Sequence, residues 1–446
     1  MLRLQPKITL KILFSNLAKN LSISHEILPN VGLTFFYLGI FLLPSAFSFS
    51  AIFLLISLII GFSIQDENYF ADKWNIPFFI GALLIIFSSL LNALNNIQNI
   101  NPGEVNPLLS NIYLFNWIPF IFSFHGFQPY LSSKKLRKNS ALIFISGTFP
   151  VIFSILGQTM FNWLGPIKAL NGFIVWYLPD TSNFAVTGLF SNPNYLGSWL
   201  IIILPFSLAT CFRKNIKKSS KVILYFFLIS ISSSIILCGS RSALICMLIS
   251  IPLFFGLRSL FWLLPLIVIF SVLQFSILVP IFGENFQEII KALIPSGIWS
   301  IFYDANYLLD ISRIEIWKYA LNLIKENPLI GSGASSFPTY IMSESGFWKG
   351  HSHNLPLELM ASYGIPAALF ILIPFTLLVG LSFRKVILKK HFFSSENIFD
   401  RSWIISIILL TLMHLVDIQY FDGRISIAGW ILLAGIRNII KEDLQL

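Results

Sequence analysis

The sequence predicts an all-α polytopic membrane protein with about twelve transmembrane helices. Three observations predict it. The 446 residues are 56% hydrophobic and 11% charged, with mean hydropathy +0.78, whereas a soluble domain carries roughly 25% charged residues. The apolar residues fall in runs long enough to cross a bilayer, where helices or closed barrels alone satisfy the backbone. The 30 lysines and arginines sit in short clusters between those runs. That distribution orients membrane segments and is not a groove for nucleic acid, despite the net charge of +10.

The twelve runs are 31–45, 47–64, 76–94, 112–126, 140–157, 195–212, 222–238, 242–256, 259–281, 355–383, 403–420 and 425–438. The first two are parted at "PSAFS". The residues before them are basic, and the first run reads as an uncleaved span. Cys211, Cys238 and Cys246 lie in or at the ends of apolar runs without metal-type spacing, and read as small packing residues.

The basic clusters set the orientation. Arg3, Lys7, Lys11 and Lys19, then "KKLRK" (134–138), "RKNIKKSSK" (213–221) and "RKVILKK" (384–390), all face the cytoplasm if both termini do. The chain then divides into a bundle of about nine spans over 1–281, a long outer loop with amphipathic helix over 282–354, and about three spans over 355–446. An ordered loop of that length is usually functional.

Arg241, Arg313 and Arg424 are the arginines this topology leaves on the outer side. Arg241 sits in "CGSRSAL", a tight turn, and reads either as an interfacial arginine reaching headgroups or as an anion clamp. Arg313 opens "SRIEIWKYALNLIKENPLIGSG". Ser312 and Glu315 have capping-box spacing, so a helix starts here, and Ile316, Trp317, Ala320, Leu323 and Ile324 line one face. A cation in the first turn opposes the helix dipole unless an anion binds there, so Arg313 reads either as a solvated surface arginine or as an anion contact.

The stretch "WKGHSHNLPLELMASYGIP" (348–366) places two of the six histidines where a polar loop meets an apolar run. Asn354 is positioned to cap the span beginning at Leu355, with Pro356 in its first turn. His353 then lies just outside a helix N-terminus at the outer face, either as an interfacial residue or as a general base. His351 lies two residues away. "HSH" offers no nearby third ligand, so its spacing gives little support for zinc.

Four segments carry a resemblance. "GLFSNPNYLGSWL" (188–200), "GSRSAL", "SRIEIWKYALNLIKENPLIGSGASSF" and "HSHNLPLELMASYGIPA" are similar, in order and spacing, to elements of the O-antigen ligase and polymerase superfamily. These are bacterial inner-membrane glycosyltransferases of the GT-C type. The resemblance implies that Arg241 and Arg313 hold a pyrophosphate and that His353, the histidine followed by Asn, is the catalytic base. His351, Asn354 and Arg424 are possible supporting residues. Gly364 matches the first glycine of the family's Gly-x-x-Gly, and Ala367 replaces the second.

The reaction implied is an inverting, metal-independent displacement needing no cofactor and no nucleotide sugar. The donor is a glycan on undecaprenyl pyrophosphate. The acceptor is a hydroxyl of lipid A–core in a ligase, or of another glycan in a polymerase. Membrane lipids are the remaining partners, and the active site faces the periplasm. Ligase is the preferred reading, over polymerase and over protein glycosylation. A solute or bicarbonate transporter is the alternative of another class. It would bury ionisable residues within its spans, and these spans are nearly free of charge.

Overall fold

The computed structural model describes residues 27–65, 67–97, 111–179, 185–213, 216–278, 283, 285, 288–289, 312–388 and 397–442. The basic segment before Ile27 and most of the long loop before Ser312 lie outside the described residues. Fifteen α-helices and one short hairpin occur among the described residues. Among the described residues, seven helical stretches are long and apolar enough to cross a membrane: Phe47–Ile64, Asn75–Leu94, Lys134–Phe161, Pro193–Phe212, Lys218–Leu237, Leu355–Ile387 and Gly423–Glu442. The protein is a multi-pass membrane protein. These seven stretches are fewer than the twelve spans expected: each apolar run overlaps an α-helix, 140–157 overlaps two, and several of those helices are short.

The chain forms two compact units. The first comprises Met1–Gly147, Ser312–Lys385 and His414–Leu446. Its helices are α1 (Leu28–Leu42), α2 (Phe47–Ile64), α3 (Asn75–Ile97), α4 (Ile118–Gly126) and α5 (Lys134–Gly147), later joined by α11 (Arg313–Glu326), α12 (Ser336–Ser345), α13 (Leu355–Ser382) and α15 (Gly423–Glu442). The break expected at "PSAFS" separates α1 from α2, and Ser50 Oγ donates to Gly39 O across the pair at 2.7 Å. α15 is buried along most of its length, so its polar groups need partners. Arg437 Nε meets Asp72 Oδ2 at 2.9 Å, and Asn438 Nδ2 donates to Gln128 O at 2.8 Å. Arg137 grips Glu442 with both terminal nitrogens, at 2.9 and 3.0 Å, the bidentate form that suits a guanidinium.

α11 starts and stops where its sequence signals lie. Ser312 and Glu315 close the capping box reciprocally, and the helix ends at Glu326 before Asn327-Pro328. Ile316, Ala320, Leu323 and Ile324 are buried, and Trp317 is half-buried. The following segment, 328–333, packs against α13 where that helix breaks. Gly364 takes φ 87° and ψ 161°, outside helical space. In an unbroken helix Ile365 N would bond to Ala361 O. Here Ile365 N donates to Pro328 O at 2.8 Å, while Ala361 O accepts from Ser332 N at 2.8 Å and Ser362 O from Gly333 N at 3.0 Å. Irregular backbone within a membrane protein persists where protein satisfies it in this way. Asn92 of α3 adds a bond to Gly331 O at 3.3 Å.

The second unit comprises Thr148–Ile311 and Val386–Met413. It holds α6 (Phe149–Phe161), the antiparallel strands β1 (Ile167–Ala169) and β2 (Ile174–Trp176), α7 (Pro193–Phe212), α8 (Lys218–Leu237), α9 (Arg241–Phe255), α10 (Leu260–Leu278) and most of α14 (Ile398–His414). α7 is apolar on all sides and buried from Leu196 to Cys211, the signature of a central helix. Asn192 caps it by accepting from Asn194 N at 2.7 Å. Ser406 Oγ of α14 donates to Ile202 O at 2.7 Å, and Arg401 Nε to Leu253 O at 3.1 Å. The three cysteines are buried and unbridged in this unit.

Candidate functional site: a histidine–aspartate pair at a helix mouth

The entry into α13 is built as its sequence implies. Asn354 Oδ1 accepts from Leu357 N at 3.0 Å, and Pro356 sits in the first turn. Asn354 Nδ2 also donates to Leu415 O at 2.9 Å, pinning this helix mouth to the connection between α14 and α15. Ser352 is buried; its N–H donates to Glu358 Oε2 at 2.8 Å and its hydroxyl to Asn354 O at 3.1 Å. His353 is forced into the left-handed region at φ 52°. A non-glycine residue there costs on the order of 1–3 kcal/mol, and these hydrogen bonds surround the residue that bears it.

The strained turn points His353 at a partner the local sequence does not contain. Its Nδ1 lies 2.7 Å from Asp417 Oδ1, and the same oxygen accepts from Ile418 N at 2.9 Å. A carboxylate at Nδ1 favours the proton on that nitrogen and leaves the Nε2 lone pair available. A proton then taken at Nε2 creates an imidazolium already beside an anion. Burial raises the Asp417 carboxyl, but the His353 hydrogen bond and charge outweigh it and leave the group below its ordinary 3.8.

His351 stands edge-on to His353, with ring centroids 4.4 Å apart, and its Nδ1 accepts from His353 N at 3.2 Å. Burial, then the His353 charge, pushes its imidazole down to about 4, with Asp417 opposing. It is therefore neutral near pH 7. His351, His353 and Asp417 offer three possible metal-ligand atoms within 4.8 Å of one another. The third ligand missing from "HSH" is thus supplied 64 residues away. As arranged, however, Nδ1 of each histidine is engaged in a protein hydrogen bond.

The remaining expected residues fall as follows. Arg313 is exposed on the first turn of α11, in the same unit as His353. Arg424 is buried and bound by Asp422, with Nε 2.8 Å from Oδ1 and Nη2 on Oδ2. Arg241 is exposed on the first turn of α9, in the second unit. Two of the motif segments do meet in that unit. Gly197 of the Asn-Pro-Asn segment packs so tightly on the arginine turn that a Cβ there would lie 2.9 Å from Ala243 Cβ and 3.2 Å from Ser240 Cβ.

Sequence reasoning missed Asp417 and Glu358. Each is the lone acidic residue of an apolar run, 403–420 and 355–383 respectively. An isolated acid in such a run is itself a functional signal. The run 403–420 also stops being helical at His414, which frees Asp417 for the connection.

No curated protein shows a significant match to the chain. Residues 224–372, roughly a third of the chain, match a family described as O-antigen ligase. The matched stretch holds Arg241, Arg313, His351, His353 and Asn354 and stops short of Asp417 and Arg424. Residues 224–372 thus carry a domain similar to the O-antigen ligase family.

Proposed function

We propose that the protein is an inverting membrane glycosyltransferase of the ligase type. It moves a glycan from undecaprenyl pyrophosphate to an acceptor hydroxyl at the outer face of the inner membrane. The observation that carries the reading is the His353–Asp417 pair, at 2.7 Å, whose histidine stands at a helix mouth inside the matched stretch 224–372.

His353 Nε2 takes the acceptor hydroxyl proton as the oxygen attacks the anomeric carbon. The bond from that carbon to the pyrophosphate oxygen breaks, and its electron pair leaves with the pyrophosphate. Arg241 and Arg313 neutralise the departing anion, a task that suits guanidinium forks. Attack opposite the leaving group inverts the anomeric centre. The residues that act are side chains of this chain, and the reaction draws on no metal or nucleotide sugar.

The topology that serves this chemistry has twelve spans and cytoplasmic termini, with the loop 282–354 outside, between the spans of 1–281 and those of 355–446. Glu344 is exposed on α12. In a variant lacking Cys211, Cys238 and Cys246, Glu344→Cys reacts with an impermeant thiol reagent from the periplasm; reaction from the cytoplasm alone overturns the topology.

The reaction itself is tested in proteoliposomes holding undecaprenyl-pyrophosphate glycan and lipid A–core. Wild type forms the glycan–lipid A product and His353→Ala does not. Equal product from both overturns the role of His353. In a deletion strain, accumulation of unattached lipid-linked polymer supports a ligase, and a lipopolysaccharide capped with a single repeat supports a polymerase instead.

A further inference from the structure

The first unit encloses a cavity of about 670 Å³ beside the histidine loop. Small-molecule sites span about 300–1,000 Å³. Five aromatic rings line it, from Tyr113, Trp117, Trp348, Tyr363 and Phe421, together with the carboxylate of Glu358. Gly350 is also in its wall, and the Phe421 ring centre lies 6.3 Å from that of His351. The cavity therefore abuts the loop that carries His353.

Its rings differ in mobility. Trp117 is buried and stacked on Tyr420, centroids 4.3 Å apart, and Tyr420 in turn accepts from Trp430 Nε1 at 2.9 Å. Tyr363 is buried and hydrogen-bonded to Trp117. These two form a fixed floor. Trp348 is 69% exposed and stands at the rim. Glu358 is only 5% exposed, held by the backbone N–H of Ser352 at 2.8 Å. A carboxylate has about four acceptor positions, so about three remain for a ligand.

Aromatic faces with a single buried carboxylate select a molecule that is apolar on its faces and rich in hydroxyl donors at its edge. A sugar ring has that character. Pyrophosphate does not fit, because no lysine or arginine among the described residues lines the cavity and Glu358 would repel it. A polyprenyl chain fits poorly, since it would desolvate the carboxylate without donating to it.

We propose that this cavity is the acceptor subsite. A sugar ring of the acceptor glycan packs on Trp348, Phe421 and Tyr113 while its hydroxyls donate to Glu358, which brings the attacking hydroxyl to the histidine loop. This rests on the transferase reading above.

The test is equilibrium binding, on purified full-length protein carrying His353→Ala so that nothing turns over. The probe is the water-soluble oligosaccharide released by mild acid from the host strain's lipopolysaccharide. Trp348→Ala removes an exposed ring, and Glu358→Gln keeps an oxygen for the Ser352 N–H. Each weakens oligosaccharide binding about tenfold or more, about 1.4 kcal/mol, and leaves binding of undecaprenyl phosphate unchanged. If Glu358→Gln does not fold, Trp348→Ala alone decides. Absent binding, equal affinities, or a loss confined to undecaprenyl phosphate overturns the subsite. Equal affinities with transfer intact in wild type overturn the subsite and spare the transferase reading. Absent transfer by wild type overturns the transferase reading, and the acceptor role with it.

Discussion

His353 Nδ1 and Asp417 Oδ1 lie 2.7 Å apart across 64 residues of sequence. The contact joins the mouth of α13 to the connection that follows α14. It gives the histidine a fixed orientation and a counter-charge, and it separates two roles that one substitution can tell apart. His353→Asn keeps a residue type that tolerates the left-handed backbone but removes the imidazole proposed as the base. It should insert and fold like wild type and lose about 10²–10⁴-fold in transfer rate. Folding loss with His353→Asn equal to that of His353→Ala would make the residue structural.

Asp417→Asn retains the shape and removes the charge that holds the imidazole and its imidazolium. The expected result is a fall in kcat of at least about tenfold, with the donor KM little changed. Asp417→Glu, which restores a carboxylate, should recover part of the lost kcat. No recovery in a folded Asp417→Glu protein would point to a packing role instead.

The same cluster sets an acid sensitivity. His351 is lowered from 6.5 to about 4 by burial first and by His353 second. The unfolded chain therefore binds more protons than the folded one between those values. Stability from this group is fully present above pH 6.5 and falls as pH drops toward about 4. Asp417, also lowered from its ordinary value, adds a loss of the same sign below 3.8. His351→Asn, whose side-chain oxygen can still accept from His353 N, should flatten the decline between pH 6.5 and 4. Thermal unfolding across that range measures it, and parallel declines in both proteins would refute the assignment.

The capping box at Ser312, the Asn354 cap, the "PSAFS" break and the buried stripe of α11 were all legible in the sequence, because each depends on residues within one or two turns. The Asp417 partner was not. It lay inside an apolar run that reads as continuous helix through 420, and the chain leaves the helix at His414 instead. The swap of hydrogen bonds at Gly364 was equally hidden. The glycine was visible as a motif position, but its partner strand of backbone, 328–333, is joined to it through the fold.

Arg241 and Arg313 divide the proposed pyrophosphate contact. Lysine keeps their charge and loses the fork. Arg241→Lys and Arg313→Lys should each lower transfer at least about tenfold in proteoliposomes, with normal expression. Full activity in both would mean that bidentate recognition plays no part. Chelator treatment should leave the wild-type rate unchanged. A rate abolished by EDTA and restored by a divalent ion would assign His351, His353 and Asp417 to a metal instead.

Gly331 and Gly364 make the last case, because they meet each other's segments at the break in α13. Gly331 has φ 75°, and a Cβ there would lie 2.5 Å from Ser362 C and Tyr363 N. Gly364 has φ 87°, and its Cβ would run into the Leu329 carbonyl. Either alanine must therefore strain its own backbone and push the two segments apart. That would part the bonds from Ser332 N to Ala361 O and from Ile365 N to Pro328 O. Gly346 is the control: its φ is 73°, but nothing lies within 4 Å of its Cβ position. Gly346→Ala should cost only the backbone strain, roughly 1 kcal/mol. Gly331→Ala and Gly364→Ala should each cost clearly more, read as lower unfolding temperatures and lower folded yield. Because both act on one junction, the double variant should be less destabilised than the two losses added together. Strict additivity, or a Gly364→Ala loss no larger than that of Gly346→Ala, would show that the 328–333 segment does not brace the helix that carries His353 at its mouth.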